Sequence, residues 1–202
     1  MAFLYLYIMK FLFGFSFLIL GCMAGFGQDK PLSNDDRGKL IYYEVVTAKD
    51  VAKDSLAVRA AAFFKKSAKS LKVKSTSTDS LIHASGKMTI NKTALVLSRP
   101  SGEVLYNFYA ETRDGKYRFW FTDFNFIPYQ RDRYGNFVPS TTVGVPLENK
   151  PGKLNAAEWA GYIKATTKEA NLLASRFKQA MMNKVIAPPV VKAVPVSPAQ
   201  KW

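Results

Sequence analysis

Alternation between apolar and polar positions divides the chain into strands and helices joined by polar turns. Residues 39–47 are rich in β-branched and aromatic side chains, which predicts a first strand with Ile41, Tyr43 and Val45 on one face. Residues 52–69 instead repeat apolar side chains at helical spacing. We therefore expect a helix there, whose core-facing residues are Leu56, Ala60, Phe63 and Phe64.

Further strands are predicted between this helix and residue 103. They lie at residues 71–76, 80–90 and 93–98. A turn is expected at residues 99–102, because Pro100 and Gly102 are typical turn residues. Gly86 lies inside the second strand, where a glycine suggests a bulge.

The clearest local pattern is a hairpin around Asp114-Gly115. Asp-Gly between two alternating segments is typical of a two-residue turn, whose central residues adopt positive φ. The alternating apolar residues are Val104, Tyr106, Phe108 and Ala110 before the turn, and Tyr117, Phe119 and Phe121 after it. The intervening positions also carry large side chains, so we expect one face to pack on helices and the other to be covered or adhesive.

Residues 129–153 contain three prolines and three glycines and lack a regular period. Connections in compact domains are about 4–6 residues long, and much longer ones tend to be functional or disordered. A helix is predicted over 154–184, where Asn155 and Glu158 resemble a capping box. Residues 28–38 read as a polar linker, and the Pro- and Val-rich residues 185–202 as an extended, unfolded tail.

Several segments resemble one family of exported bacterial proteins, known only as a domain of unknown function with a TBP-like fold. They are Gly38 to Val46 (GKLIYYEVV), VAKDSL at 51–56, FFKK at 63–66, DGKYRF at 114–119 and FTDF at 121–124. The resemblance covers residues 39–127. It implies an α+β fold in the order β-α-β-β-β-β-α, with a curved antiparallel sheet of about five strands and helices on one face.

The domain predicted in this way spans residues 39–184. The resemblance implies no catalytic residue, cofactor or substrate. The chain departs from the family at Ala52, where a serine helix cap is expected, so Asp50 is expected to cap the helix instead. The nucleic-acid role of the namesake fold is an analogy only, and we expect no nucleic-acid partner.

The first 27 residues are almost wholly apolar, carry a single charge at Lys10, and end at Gly27 before polar residues. This pattern predicts a secretory signal peptide cleaved near Gly27, and hence a periplasmic or secreted protein. Because Lys10 follows nine apolar residues, Met9 is an alternative start to Met1. An uncleaved leader would anchor the chain in the membrane.

Cys22 is the only cysteine of the chain, so the folded part contains no disulfide. Residues 19–22 approximate a lipoprotein box, which makes lipidation of Cys22 an alternative to a simple leader residue. Membrane association is expected only through the leader or a lipidated Cys22.

The formal net charge of +14 favours anionic partners, namely lipid headgroups, acidic polysaccharide or nucleic acid. The alternative is a Lys-rich exported protein whose charges are only solvated. His83 is the only histidine, which excludes a multi-histidine metal cluster, and no glycine-rich phosphate loop is present. We therefore expect no cofactor and no metal.

Asp123 is the only catalytic candidate, because it stands among three phenylalanines and burial would raise its pKa. Its alternative role is a hydrogen bond that ends the strand or fixes the next turn, and a Glu44–Asp123 carboxylate pair stays open. The binding candidates share a segment in which aromatic and arginine residues interleave, and such groups bind by stacking and bidentate hydrogen bonds. These candidates are Tyr129, Arg131, Arg133, Tyr134 and Phe137.

Three hypotheses follow from these patterns. The leading one is a non-enzymatic cell-envelope module that binds another protein, a glycan or an anionic surface through its sheet or through residues 129–153. The second is a carboxylate-dependent hydrolase of envelope material that uses Asp123. The third is a basic surface that binds anionic lipid or polysaccharide.

Overall fold

The computed structural model of the chain describes residues 29–76, 81–94, 97–149, 152 and 155–183. The predicted leader with Cys22 and the predicted tail lie outside these residues. Helices and strands follow one another as β1 (Ser33–Asn34), β2 (Leu40–Thr47), α1 (Lys53–Lys66), β3 (Leu71–Thr76), β4 (Leu81–Ala94), β5 (Leu97–Arg113), β6 (Lys116–Arg131), β7 (Phe137–Pro139), β8 (Val145–Pro146) and α2 (Ala156–Met182).

The described strands form one antiparallel sheet in the order β1-β2-β6-β5-β4-β3, with β7 and β8 paired to β6. The five long strands and two helices follow the predicted order β-α-β-β-β-β-α, so the α+β fold class is confirmed. The sheet has eight strands rather than about five. The additional strands, β1, β7 and β8, have two or three residues each, too few to show a period in the sequence. Two of them lie in the segment 129–153, expected to be irregular.

The turn predicted at residues 99–102 is wrong, because these residues lie within β5 and pair with β4. The ladder is irregular between Ile90 and Asn91, where Ser101 is the extra residue and its hydroxyl donates to the Ile90 carbonyl oxygen at 3.2 Å. Proline is tolerated in strands at such irregularities, which accounts for Pro100. The described residues of the predicted separate strand at 93–98 belong to two strands instead: Thr93 and Ala94 end β4 and pair with Ser98 and Leu97 at the start of β5. Residues 95–96 lie outside the described residues.

Gly86 forms no bulge, since β4 is regular there against both neighbouring strands. A Cβ at this position would lie 2.6 Å from the Tyr106 ring and 2.7 Å from Leu71. A glycine is therefore needed here because neighbouring side chains come too close for a Cβ, and not because the strand pairing is interrupted.

Both helices pack on one face of the sheet around Phe177 of α2, which is fully buried. Its ring centroid lies 5.0–6.2 Å from five other ring centroids, a spacing at which aromatic pairs attract one another. These rings belong to Phe63 and Phe64 of α1, Phe108 of β5, and Tyr117 and Phe119 of β6. The buried residues of α1 are the four that its helical spacing predicts.

A β-bulge in β6 keeps the aromatic core in phase. Between the pairs Asn107–Thr122 and Leu105–Asn125, Asp123 and Phe124 oppose the single residue Tyr106. Asp123 adopts φ +57°, the left-handed region that bulges use and that aspartate tolerates. The extra residue shifts the alternation by one, so Phe124 and Phe126 join the helix-facing rings that precede the bulge.

The start of α1 is capped from another part of the chain. Ala52, at the N-cap, makes no side-chain bond, and the expected cap from Asp50 does not form. The carboxylate of Asp114, in the β5–β6 turn, instead accepts a hydrogen bond from the Lys53 amide at 2.7 Å. A carboxylate at this end of a helix satisfies an unpaired amide and opposes the helix dipole favourably.

The same turn is joined to the β2–α1 connection by two backbone hydrogen bonds. The Gly115 amide donates to the Val51 oxygen at 3.0 Å, and the Gly115 oxygen accepts from the Ala48 amide at 2.8 Å. Of the two turn residues only Gly115 has a positive φ, so the expectation that both would is corrected. The hairpin turn therefore docks on the helix entrance.

The capping box predicted at the start of α2 does not form. Asn155 occupies the N-cap position but makes no side-chain bond to the helix. Glu158 binds Lys92 of β4 instead, at 2.8 Å. This ion pair takes the carboxylate that the capping box would have used.

Replacing Phe177 with alanine is expected to destabilise the protein by about 3–5 kcal/mol, the usual cost of removing a buried phenylalanine. Chemical denaturation followed by circular dichroism measures the change. The matched control is Leu172→Ala on the same helix, where the side chain is 43 % exposed and the expected change is within about 0.5 kcal/mol. Equal losses for the two variants would contradict a core centred on Phe177.

Replacing Asp114 with alanine is expected to lower the free energy of unfolding by about 0.5–2 kcal/mol, the range measured for lost helix caps. Asp114→Asn is the control, since its side-chain oxygen can still accept from the Lys53 amide and Asn-Gly still favours the turn. If the asparagine variant lost as much stability as the alanine variant, the cap would not be the cause.

Candidate functional site

The face of the sheet opposite the helices carries the candidate site, and we call it the open face. Side chains alternate across a strand, so the residues between the core positions of β4, β5, β6 and β2 point to this side. Both described helices pack on the opposite side. The open face is not polar, as the large side chains between the core positions of the hairpin predict.

An aromatic row crosses four strands of the open face. It consists of His83 on β4, Tyr109 on β5, Trp120 on β6 and Tyr43 on β2, which are successive cross-strand partners. His83 and Tyr109 stack with centroids 4.3 Å apart and planes inclined by 8°, and Tyr109 and Trp120 with 5.1 Å and 10°. The Tyr43 ring lies 6.4 Å from Trp120 at 39°.

The stacking decides what the aromatic row offers to a ligand. Since the rings cover one another's faces, they leave no open platform between them for a flat ligand to stack on. What they present is a ridge of edges and polar tips. Such a ridge is rigid, because every ring is held by its neighbours as well as by its strand.

An ion cluster borders the aromatic row next to Tyr43. Arg118 lies 5.5 Å from the Trp120 ring, and Glu111 accepts hydrogen bonds from Arg118 at 2.6 Å and Arg113 at 3.0 Å. Burial raises the pKa of Glu111, but the bonds from the two guanidinium groups outweigh it and hold the pKa below its usual value. Two guanidinium groups share one carboxylate, so the cluster keeps a positive charge.

A chain of polar side chains runs along the other side of the aromatic row. His83 Nε2 and Asn107 Oδ1 lie 3.1 Å apart, and Asn107 Nδ2 donates to Asp123 Oδ2 at 2.9 Å. Lys39 binds the second oxygen of Asp123. Partial burial raises the pKa of Asp123, but the bonds from Lys39 and Asn107 and the charge of Lys39 outweigh it, so the pKa is lowered.

These contacts overturn the expectation that burial leaves Asp123 with a raised pKa. Both of its oxygens are occupied, and a carboxyl with a lowered pKa holds no proton to donate near neutral pH. Glu44 does not pair with Asp123, because it lies on the helix side and binds Lys178 of α2 at 2.7 Å. The alternative role, a hydrogen bond that ends the strand or fixes the next turn, is wrong as well, because β6 continues to Arg131 and the carboxylate bonds the side chains of Lys39 and Asn107.

A groove of about 560 Å³ adjoins this polar chain towards β3. We call it the lysine groove, because its rim carries four lysines from the α1–β3 turn, β3 and β4. They are Lys69, Lys72, Lys74 and Lys87. Neutral side chains dominate its floor, among them Ser85, Leu105, Asn107 and Asn125.

The five predicted binding residues lie on the β6–β7 hairpin. Their turn is fixed by the Asp132 carboxylate, which accepts from the Tyr134 and Asn136 amides at 2.8 Å each. Two of their cations lie over the hairpin's own rings, Arg131 5.0 Å from Phe137 and Arg133 4.8 Å from Tyr134.

Only Tyr129 of these residues is tied to the open face. Its hydroxyl donates to Glu103 at 3.1 Å, and Glu103 in turn binds Lys87 of the lysine groove at 3.1 Å. The other four surround the hairpin turn. A binding role for the five residues stays a prediction.

Sequence reasoning did not find the aromatic row or the lysine groove. Tyr43, His83, Tyr109 and Trp120 are far apart in the sequence, and their alignment depends on strand register. The available signal was the presence of large side chains between the core positions of the hairpin, which predicted an adhesive face but not its members.

Residues 29–76, 81–94, 97–149, 152 and 155–183 contain no group of three His, Cys, Asp or Glu side chains arranged to hold a metal ion. Within the same ranges, neither helix combines the length and apolar character needed to span a bilayer.

Comparison with solved structures identifies the fold. A TBP-like protein from Parabacteroides distasonis ATCC 8503 is similar with a TM-score of 0.58 and 16% identity, covering 75% of this chain and 97% of that one. A DUF4468 family protein from Bacteroides ovatus ATCC 8483 is similar with a TM-score of 0.55 and 11% identity, covering 78% and 94%. The protein therefore has a TBP-like α+β fold.

Part of the sequence matches a described family. Residues 42–127 match the family described as "Domain of unknown function (DUF4468) with TBP-like fold". The resemblance seen in the sequence is thereby confirmed over this segment, which runs from Tyr42 in β2 to Ile127 in β6. No curated protein matches the chain.

The ion pair of Asp123 predicts a pH-dependent contribution to stability. Because its pKa is lower in the folded than in the unfolded protein, the contribution is present above the unfolded value, near about 4, and is lost as pH falls through the folded pKa. The gap in unfolding free energy between the wild type and Asp123→Asn should thus be widest near neutral pH and shrink in acid.

Denaturant titrations at several pH values measure this gap. Asparagine also tolerates the left-handed backbone of the bulge, so the substitution isolates the charge. A gap that is the same at neutral and acid pH would show that the Lys39 pair contributes nothing.

Proposed function

We propose that the protein is a non-enzymatic binding module of the cell envelope that contacts its partner through the open face. The observation that carries the proposal is the aromatic row, four rings aligned across four strands on the face that the helices leave uncovered. The partner is another envelope component, and the ridge of ring edges is the centre of the contact.

The composition of the open face supports binding. Tyrosine, tryptophan and arginine are the side chains that dominate the energy of protein interfaces, and the row combines them with Arg118. Tyr43 is 39 % exposed and Val45 is 53 % exposed beside it, so apolar surface is available next to the row. Rings already held in place lose little conformational entropy when a partner binds.

The location in the envelope rests on the leader predicted over residues 1–27. Cleavage near Gly27 releases the module into the periplasm or the medium, whereas lipidation of Cys22 tethers it to a membrane. A polar segment that follows the predicted cleavage point is tied to the domain, since the Asn171 side chain bonds the Lys30 amide at 3.0 Å and its oxygen at 2.9 Å. A processed chain therefore keeps Lys30 bonded to α2.

The hydrolase hypothesis gains no support from the geometry. Asp123 is paired with Lys39 and bonded to Asn107, and Glu44 lies on the other side of the sheet. General acid–base catalysis needs a carboxyl with a free oxygen and a pKa near the working pH, and Asp123 offers neither.

Replacing Val45 with aspartate is expected to abolish capture of the partner, because it removes exposed apolar surface beside the aromatic row and adds a carboxylate next to Arg118, its cross-strand partner, which changes the charge of the contact. The tagged full chain is crosslinked in its native cells, and the material that co-purifies from the envelope fraction is identified. The matched control is Val58→Asp on α1, where the valine is 44 % exposed on the opposite side of the molecule.

The proposal expects capture by the wild type and by Val58→Asp, and loss with Val45→Asp. Both variants should keep the circular dichroism spectrum of the wild type, since both positions are exposed. Capture that survives Val45→Asp, or an envelope fraction that lacks the protein, would contradict the proposal.

A further inference from the structure

We infer that the lysine groove binds an anionic carbohydrate chain. The inference rests on the proposed function, since it takes the open face as the binding surface and names a ligand class for one part of it.

The groove carries positive charge that the described part of the chain does not neutralise. Its two carboxylates are already paired, Glu103 with Lys87 at 3.1 Å and Asp123 with Lys39. The rim cations from the α1–β3 turn and β3 make no ion pair within the described residues. These are Lys69, Lys72 and Lys74. Three uncompensated cations around one groove favour an anionic occupant.

The arrangement of these cations suits a polymer rather than a single compact anion. Lys72 and Lys74 are two residues apart on β3, with the strand's irregularity at Lys74, and Lys69 extends the series along the same rim. Lysine is a mobile point charge, whereas tight recognition of one phosphate uses the planar fork of arginine. The groove lining contains no arginine. A polymer with negative charges repeated along its length matches the row of lysines on this rim.

The floor of the groove distinguishes a carbohydrate from a peptide or a membrane. Ser85, Asn107 and Asn125 are neutral groups that exchange hydrogen bonds with hydroxyls. A bound peptide is selected through pockets for apolar side chains, and a lipid surface through an apolar face that inserts. Leu105 and Tyr106 are the only large apolar side chains of the lining.

The lysines of β3 could also serve a purely structural purpose, and the experiment must distinguish that purpose from ligand binding. β3 is the last strand of the described sheet, and lysines on such a strand deter pairing with other chains. That role needs charge but no ligand. It predicts that removing the lysines promotes aggregation without changing any carbohydrate affinity.

The experiment titrates the protein purified from its native cells with polygalacturonate, and with neutral dextran as the uncharged control. The wild type should bind polygalacturonate and not dextran, and more weakly at about 300 mM than at about 50 mM NaCl, because salt screens exposed charge. Lys72→Gln/Lys74→Gln should weaken binding about tenfold or more.

The matched control is Lys65→Gln/Lys66→Gln, which removes the same charge from the exposed end of α1. Its affinity for polygalacturonate should stay within about twofold of the wild type. Equal losses for the two double variants would reduce the effect to net charge and overturn the inference. Tighter binding to polyglutamate, or to vesicles of anionic phospholipid, would assign the groove to a different ligand and overturn it as well.

The two proposals fail separately. If wild-type protein captures an envelope partner that Val45→Asp loses, yet ignores polygalacturonate, the carbohydrate inference is wrong and the binding module stands. If neither partner nor polygalacturonate is bound, both are wrong.

Discussion

The packing of Phe177 against the sheet is the contact on which the rest of the structure depends. One ring from α2 meets rings of α1, β5 and β6 at once, so it fixes both helices on the same side. Without a disulfide in the folded part, this buried aromatic surface supplies the main driving force for folding. This packing makes the two faces of the sheet different, because both described helices cover one face and leave the open face without a helix.

The bulge at Asp123 connects the covered face to the open one. Its backbone shifts the alternation of β6, so that Phe121 and Phe124 both point into the core although they are three residues apart. Its carboxylate is held on the open face by Lys39 and Asn107. One residue therefore keeps the core in phase and anchors the polar chain beside the aromatic row, which is a structural reason for an aspartate among phenylalanines.

The sequence predicts those parts of the fold that local pattern controls. The bounds of β3, the buried stripe of α1 and the Asp114-Gly115 hairpin follow from periodicity and turn chemistry. Predictions from the sequence fail where a contact distant in the sequence overrides the local preference. Pro100 and Gly102 are typical of a turn but lie in β5. Glu158 fits a capping box but forms an ion pair with Lys92 instead. The aromatic row and the lysine groove escape prediction for the same reason, since cross-strand register brings their members together.

The aromatic row and the lysine groove, the two parts of the open face, differ in how much unpaired charge they carry. This difference argues for separate roles. In the aromatic row the rings cover one another, and the two adjacent guanidinium groups share Glu111, which leaves one positive charge. A partner there meets a rigid surface whose guanidinium groups are already bonded, where shape decides the fit. In the lysine groove the cations exceed the anions, and long-range attraction acts before contact. A charged chain drawn to the groove would lie beside the aromatic row, so the two parts can act on one envelope assembly without competing for the same atoms.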